Sequence, residues 1–341
     1  MITTKHLSRR DALRMGLLPA ATSFILPQIL HAQSGPKTRV RIVNTSGNST
    51  FILQDLLNST GILDSFGLEA THQNVADGAK ATEAILRGDA DVCMQAGFGP
   101  VLTEIDNGKK LKVISGGSLL APQTVYSANP EIRRMKDLIG KTVGAGAMGA
   151  ALHQKMVALL RKKGIDDKQV KFVDVGSTAN VFKAVVAGTV DAGPADLDVF
   201  ADQAKYGVHS LDDANMWTEL SEYTNQAAYT SQAMIDEKRD VLIRTIAAYA
   251  KIYRFFQTAQ SRDAWVATSA KVFKTPINGE PDPQWKFYQD AKPFPPAIAI
   301  TPDRVRYIQE LNVSMGLQKN LLPFEQVADV SMAAEALRLL G

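Results

Sequence analysis

Short apolar runs alternate along this chain with stretches whose apolar residues recur at helical spacing. Arg39-Val40-Arg41-Ile42-Val43 reads as a strand and runs into a polar loop; residues 51–59 then carry helical spacing, with Ser49 or Thr50 placed to cap them. Residues 68–75 predict a second strand, 79–87 a helix stopped by Gly88, and 90–95 a third strand. The turn Ala96-Gly97-Phe98-Gly99-Pro100 leads into a helix over 101–107, and 111–116 is a fourth strand. The plan then recurs, with strands at 142–145, 170–175 and 189–193 and helices at 150–163, 179–187 and 198–206. Such alternation predicts mostly parallel sheets joined by right-handed crossovers. The remainder is mainly helical. Val241, Leu242, Thr245, Ile246, Tyr249, Ile252, Tyr253 and Phe256 share one helical face and predict core, not cofactor contacts. Thr301-Pro302-Asp303 opens a further helix that Gly316 closes, while 274–299, rich in proline and turn residues, reads as a long surface excursion.

The recurrence is visible in the residues at an offset of one hundred. Val75 matches Val175, Ala79 Ala179, Ala84 Ala184, Gly88 Gly188 and Asp91 Asp191; Gln54 also matches Gln154, and the loop 44–48 stands opposite 144–148. Two lobes of similar build are expected, with a ligand cleft between them. Lobe I is expected to be discontinuous, 38–123 and 226–341, and lobe II to span 124–225, with links near 121–124 and 222–228 acting as a hinge.

The first 32 residues stand apart. Ser8-Arg9-Arg10-Asp11-Ala12-Leu13 sets a twin arginine ahead of an apolar run over 15–30, broken by Pro19 and Pro27 and too short for a membrane span, and Ala32 is the expected cleavage position. The pattern resembles a Tat export signal and predicts a periplasmic protein. The leader carries Lys5, Arg9, Arg10 and Arg14 against Asp11, which leaves 34 of the 38 cations against 34 of the 35 anions in the rest. The basic excess therefore belongs to the leader, and no nucleic-acid partner is expected. The lone Cys93 excludes an intrachain disulfide and sits in an apolar strand, as a buried inert thiol does.

Few groups converge as catalysis requires. His6, His31, His72, His153 and His209 show no metal-ligand spacing, and neither a Gly-x-Ser-x-Gly elbow nor a phosphate-binding loop occurs. Gly144-Ala145-Gly146-Ala147-Met148-Gly149 has the Gly-x-Gly-x-x-Gly form, but export separates the chain from the cytoplasmic nicotinamide pool, so no cofactor is expected. The loops beyond the carboxyl ends of the strands read instead as walls of a cleft, each preceding a helix whose free N–H groups face it. They offer the side chains of Thr45, Ser46, Asn48, Gln95, Ser177, Thr178, Asn180 and Asp196, close backbone approach at Gly97, Ala147 and Gly149, and apolar contact from Phe98 and Met148. Helix capping is the competing role for Asn48, Ser177 and Thr178. The loops carry one cation, Lys80, against Asp77, Asp196 and Asp198, which favours a ligand with a donor group and some apolar surface over a bare inorganic anion.

Several elements together carry a family resemblance: Thr45-Ser46-Gly47-Asn48, Ala84-Ile85-Leu86-Arg87-Gly88-Asp89-Ala90-Asp91-Val92, Gly97-Phe98-Gly99-Pro100, Asp137-Leu138-Ile139-Gly140-Lys141-Thr142-Val143 and Gly188-Thr189-Val190-Asp191-Ala192. Over roughly residues 39–256 the chain resembles the periplasmic substrate-binding proteins of ABC importers for nitrate, sulfonate, taurine and thiamine precursors. The resemblance implies an α/β, two-lobe type II periplasmic binding protein fold, with the ligand cleft between lobes joined by two hinge strands. It also implies a monomer that is not an enzyme and that delivers a sulfonate, a taurine-like compound or an aromatic or heterocyclic nutrient to ABC permease membrane subunits. Members often carry Lys-Gly-Ser where this chain has Ala147-Met148-Gly149-Ala150, and Trp-Asp-Pro where it reads Ala195-Asp196-Leu197-Asp198. Both departures fall on ligand loops. An exported enzyme of thiamine-precursor type and a periplasmic ligand sensor are the alternative readings. The lone cysteine and scattered histidines weigh against the enzyme.

Overall fold

A computed structural model describes residues 36–275 and 281–341; the expected leader over 1–32 lies outside the described residues. β1 (Thr38–Thr45) is followed by α1 (Asn48–Ser59), α2 (Ile62–Ser65), β2 (Leu68–Val75), α3 (Gly78–Leu86), β3 (Val92–Ala96), α4 (Gly99–Asp106) and β4 (Leu111–Gly116). The chain then crosses to β5 (Gln123–Ser127), β6 (Thr142–Ala145), α5 (Ala151–Lys162), β7 (Lys171–Asp174), α6 (Thr178–Val186), β8 (Ala192–Asp196), β9 (His209–Ser210) and α7 (Met216–Glu219). It returns as β10 (Ala227–Ser231) and ends in α8 (Gln232–Phe256), α9 (Ser261–Phe273), α10 (Pro283–Ala291), α11 (Pro302–Ser314), α12 (Phe324–Val327) and α13 (Ser331–Arg338). Among the described residues no helix is long and apolar enough to cross a membrane.

The strands form two five-stranded sheets of the same order, β2-β1-β3-β10-β4 and β7-β6-β8-β5-β9. The parallel expectation holds for all strands but one in each sheet. β10 runs antiparallel to β3 and β4, and β5 antiparallel to β8 and β9. The reversed strand is in each case the one that arrives from the other sheet, a direction that no local periodicity encodes.

The hundred-residue offset is structural. α3 and α6 begin at Gly78 and Thr178, and β3 and β8 span Val92–Ala96 and Ala192–Asp196. The repeated aspartates do the same work in each copy. Asp91 accepts the Arg41 backbone N–H at 2.8 Å, and Asp191 accepts that of Thr142 at 2.8 Å. Each carboxylate pins the start of the third strand to the first, and the preceding Gly88 and Gly188 end their helices at φ of 72° and 68°. Gln54 and Gln154 are not equivalent, since Gln54 pairs with Asn74 from the second turn of α1 while Gln154 bonds Asn312 from the first turn of α5.

Three element boundaries differ from expectation. The strand placed at 189–193 runs Ala192–Asp196, so Pro194 sits inside it. Proline normally marks a strand's limit because it lacks a ladder donor, and this misplaced the end. The helix expected over 198–206 is a short 3-10 segment, Leu197–Asp202. The stretch 274–299 is not merely a surface excursion. Asp282 caps α10 by accepting the Trp285 N–H, Pro283 occupies its first turn, and Phe287, Tyr288, Phe294 and Ile298 are buried. They join Trp265, Tyr249, Tyr253 and Phe256 in one aromatic core in which Tyr253 and Phe294 stack at 4.1 Å. All eight expected α8 core residues are buried there, each stabilising by about 1.5–3 kcal/mol where the side chain is large and apolar.

The two sheets are tied together through the helices around them. Gln154 on α5 donates to Asn312 on α11 at 2.5 Å, and Asn312 donates to the Gly99 carbonyl of α4 at 2.9 Å. Gly97 lies against α5, and a Cβ on it would stand 2.5 Å from the Ala151 Cβ. Gly97→Ala is therefore expected to cost about 1–3 kcal/mol of stability through overpacking, read from the urea unfolding midpoint. An unchanged midpoint would mean that the β3–α4 loop does not pack against α5.

Candidate functional site

The helices that follow β1, β2, β6 and β7 start around one space. A cavity is lined there by Thr45, Ser46, Gly47, Ser49 and Thr50 from the start of α1, Asp77 and Gly78 from α3, and Ala150, Ala151 and Leu152 from α5. Thr178 of α6 and Asp196 at the end of β8 complete one wall, Ser118, Pro122, Gln123, Asn225 and Gln226 of the two crossing segments form another, and Tyr288 reaches in from α10.

The helix ends differ in what they leave open. α3 is capped by Asp77, which accepts the Lys80 N–H at 3.0 Å, and α6 by Ser177, which accepts the Asn180 N–H at 3.4 Å. α1 starts from Gly47 and α5 from Ala150, and neither has a side-chain cap. Their first-turn N–H groups and the positive ends of their dipoles are left to whatever occupies the cavity, an arrangement suited to an anion.

Lys155 supplies the charge to match. It lies one turn into α5, is buried, and donates to Gln123 Oε1 at 2.7 Å and to Asn225 Oδ1 at 3.0 Å. An ammonium has three donors, so one remains for the cavity. Burial pushes its pKa down to about 8, against the pull of Asp196, so it is still charged at neutral pH. Gln123 Nε2 in turn donates to Asp196 Oδ1 at 2.5 Å. The carboxylate that was expected to demand a ligand donor thus already has a protein donor, and burial raises its pKa against the effects of Gln123 and Lys155. The expectation that Lys80 is the cation of these loops is also corrected, since Lys80 is exposed and paired with Glu83.

Across the mouth, Asn48 Nδ2 donates to Asp198 Oδ2, joining α1 to the segment after β8. Burial, together with the charges of Asp196 and Asp282, lifts the Asp198 carboxyl to about 7 despite the Asn48 bond. A second, larger chamber opens beside the first and shares Ser46, Gly47, Thr178 and Asp196 with it. Its walls are mainly apolar.

Of the residues expected in the cleft, Thr45, Ser46, Gly97, Thr178 and Asp196 line the main cavity, and Asn48 and Ser177 line the side chamber. The others lie outside both linings. Phe98 is core, 1% exposed. Gln95 is buried on β3, with its backbone N–H on Asn44 Oδ1. Asn180 is exposed on α6. Met148 is 50% exposed and Ala147 partly so, while Gly149 is buried against Leu317, because the loop after β6 is longer than the loop after β1 and makes a turn before α5 begins. Gly149 there donates its N–H to His153 Nδ1 at 3.0 Å, which gives that histidine a local structural partner. Cys93 is buried and its thiol is pushed up to about 12, unsuited to nucleophilic chemistry.

The principal omission is Lys155. Its signal was present: it shares a helical face with Leu152, Met156 and Leu159, where a cation is out of place unless it has buried partners. Gln123 and Asn225 fall inside the expected links, and nothing in the residues marked them as its acceptors.

No curated protein matches this chain. Among solved structures it is similar to the alkanesulfonate-binding protein SsuA from Xanthomonas axonopodis pv. citri bound to MOPS, at 17% identity and TM-score 0.68 over 86% of this chain and 99% of that one. It is also similar to the periplasmic aliphatic sulphonate binding protein SsuA from Escherichia coli, at 17% identity and TM-score 0.63 over 85% and 92%. The periplasmic nitrate-binding protein NrtA from Synechocystis PCC 6803 aligns at 11% identity and TM-score 0.70 over 89% of each chain. At these identities the likeness establishes the fold, which is the periplasmic binding protein fold expected from the sequence. A family model described as NMT1/THI5 like matches residues 58–261, from within α1 through the whole second sheet to the start of α9, and with more than half its length so matched the chain belongs to the NMT1/THI5-like family.

Proposed function

We propose that this chain is a periplasmic solute-binding protein that takes a small organic acid into the main cavity and presents it to the membrane subunits of an ABC importer. One observation carries the reading: the uncapped N-termini of α1 and α5, from opposite sheets, converge with the buried ammonium of Lys155 on a single cavity. That constellation stabilises an anionic head without a guanidinium. The names of the solved neighbours, two sulfonate binders and a nitrate binder, support an oxyanion head. In this reading residues 38–123 and 226–341 form one lobe, 124–225 the other, and the two crossings are the hinge. Thr45, Ser46, Gly97, Thr178 and Asp196 join Lys155, Gln123 and Asn225 around the ligand.

A thermal-shift panel of taurine, isethionate, benzenesulfonate, benzoate and nitrate tests the reading, followed by calorimetry on the acid that stabilises most. Lys155→Met is expected to weaken that acid by about 10–100-fold, the equivalent of a charge-assisted hydrogen bond of about 1.5–3 kcal/mol. Stabilisation by none of the five, or full affinity in Lys155→Met, would remove the proposed site.

Closure has its own pH signature. The folded protein holds a proton on Asp198 up to about pH 7, whereas the unfolded chain releases it near the ordinary carboxylate value of 3.8. The native state thus binds more protons in that window, and the stabilisation is full below 3.8 and lost as pH rises through 7. The ligand-free protein is expected to lose about 1.3 kcal/mol between pH 5 and pH 8, about half the linkage value over that range because Asp198 retains some solvent contact. Asp198→Asn, which keeps an acceptor for Asn48, is expected to flatten that slope in urea titrations at the two pH values. An equal slope in the variant would assign the dependence to other groups.

A further inference from the structure

The side chamber is the larger of the two spaces and the less polar. Phe51 of α1 faces it from the first sheet's side, and Phe182 and Val186 of α6, with Val199 and Tyr206, face it from the second. Phe182 stands edge-on between Tyr126 at 5.8 Å and Tyr206 at 5.3 Å, so this wall is a packed aromatic array and not a loose surface. Val186 and Tyr206 are nonetheless 38% and 41% exposed. Large apolar side chains held rigidly against water on two facing walls are what an apolar ligand body would cover.

We propose that the ligand is an amphiphile whose acidic head sits at Lys155 and whose apolar body, of aryl or medium-chain size, fills the side chamber between α1 and α6. The inference rests on the binding role proposed above and deepens it. Adjacency assigns the occupant: Ser46, Gly47, Thr178 and Asp196 border both spaces, so the apolar chamber begins where the polar cavity ends. A bare inorganic oxyanion or a two-carbon acid fills only the polar end and leaves Phe51, Val186 and Tyr206 wet. Because Phe51 and Phe182 belong to opposite sheets, the body touches both at once and its burial adds to closure as well as to affinity.

Calorimetry with n-alkanesulfonates from methanesulfonate to octanesulfonate, on the wild-type chain and on Val186→Glu, tests the inference. Val186 is exposed and outside the polar cavity, so the substitution charges the chamber without touching the head site. In the wild type, affinity is expected to rise about fourfold for each methylene that enters the chamber, with a heat-capacity change that grows more negative along the series. In Val186→Glu the series is expected to level off, while methanesulfonate keeps its affinity within twofold. A flat wild-type series with methanesulfonate bound would overturn the amphiphile and leave the proposed function standing. Absence of binding by every member would overturn both. A rise that persists unchanged in Val186→Glu would seat the tail elsewhere and defeat the chamber assignment. A flat series with a dimer that Val186→Glu dissolves would give the chamber walls to a second copy of the chain.

Discussion

Lys155 places a full positive charge where water is excluded, and the surrounding architecture is what makes that tolerable. Removing an ammonium from water costs several kcal/mol unless acceptors replace the solvent. The acceptors here are two amide oxygens, Gln123 Oε1 and Asn225 Oδ1, and each belongs to one of the two segments by which the chain passes between the sheets. The outgoing segment delivers Gln123 at the first residue of β5, and the returning segment delivers Asn225 just ahead of β10. One charge on α5 therefore fixes the spacing of both passages. Gln123 is held in a single amide orientation because its oxygen must face Lys155 while its nitrogen faces Asp196.

Around that point the duplicated plan is used asymmetrically. In both copies an aspartate ties the third strand to the first, and in both a glycine ends the helix before it. The helix that follows the first strand lacks a side-chain cap in each copy, and the helix that follows the second strand has one. The open donors of the two copies thus face each other, whereas the capped ends are internally satisfied. The charge breaks the symmetry, since Lys155 on α5 faces the polar crossing segments while α1 carries Gln54 in its buried stripe. Gly97 makes the approach possible, because Ala151 occupies the volume its side chain would need.

The fold was largely legible in the sequence because it rests on periodicity and on repeat spacing, both of which are local or arithmetic. Strands at Leu68–Val75, Leu111–Gly116 and Thr142–Ala145 coincide with their expected limits. The same arithmetic, had it been allowed to override Pro194, would have placed β8 from β3. The site was legible only as loops. Thr45, Ser46, Thr178 and Asp196 line the cavity because strand ends are where such sheets open, whereas Phe98 packs into the core and the longer loop after β6 leaves Met148 exposed. Lys155 with Gln123 and Asn225 depends on contacts 32 and 70 residues apart, which no window on the chain contains.

The reversed strand of each sheet also orders the events of folding. The second sheet draws all its strands from one continuous stretch, Gln123 to Ser210, so it has every partner it needs once that stretch exists. The first sheet does not. β10 lies between β3 and β4 and bonds to both, and it is not made until residues 227–231 emerge. Until then β4 has no ladder to join, and β3 exposes an apolar edge. A ribosome building this chain from its N-terminus therefore completes the inserted half before the half that starts the protein. The earlier-made segment must wait, with its longest-range pairings closing last.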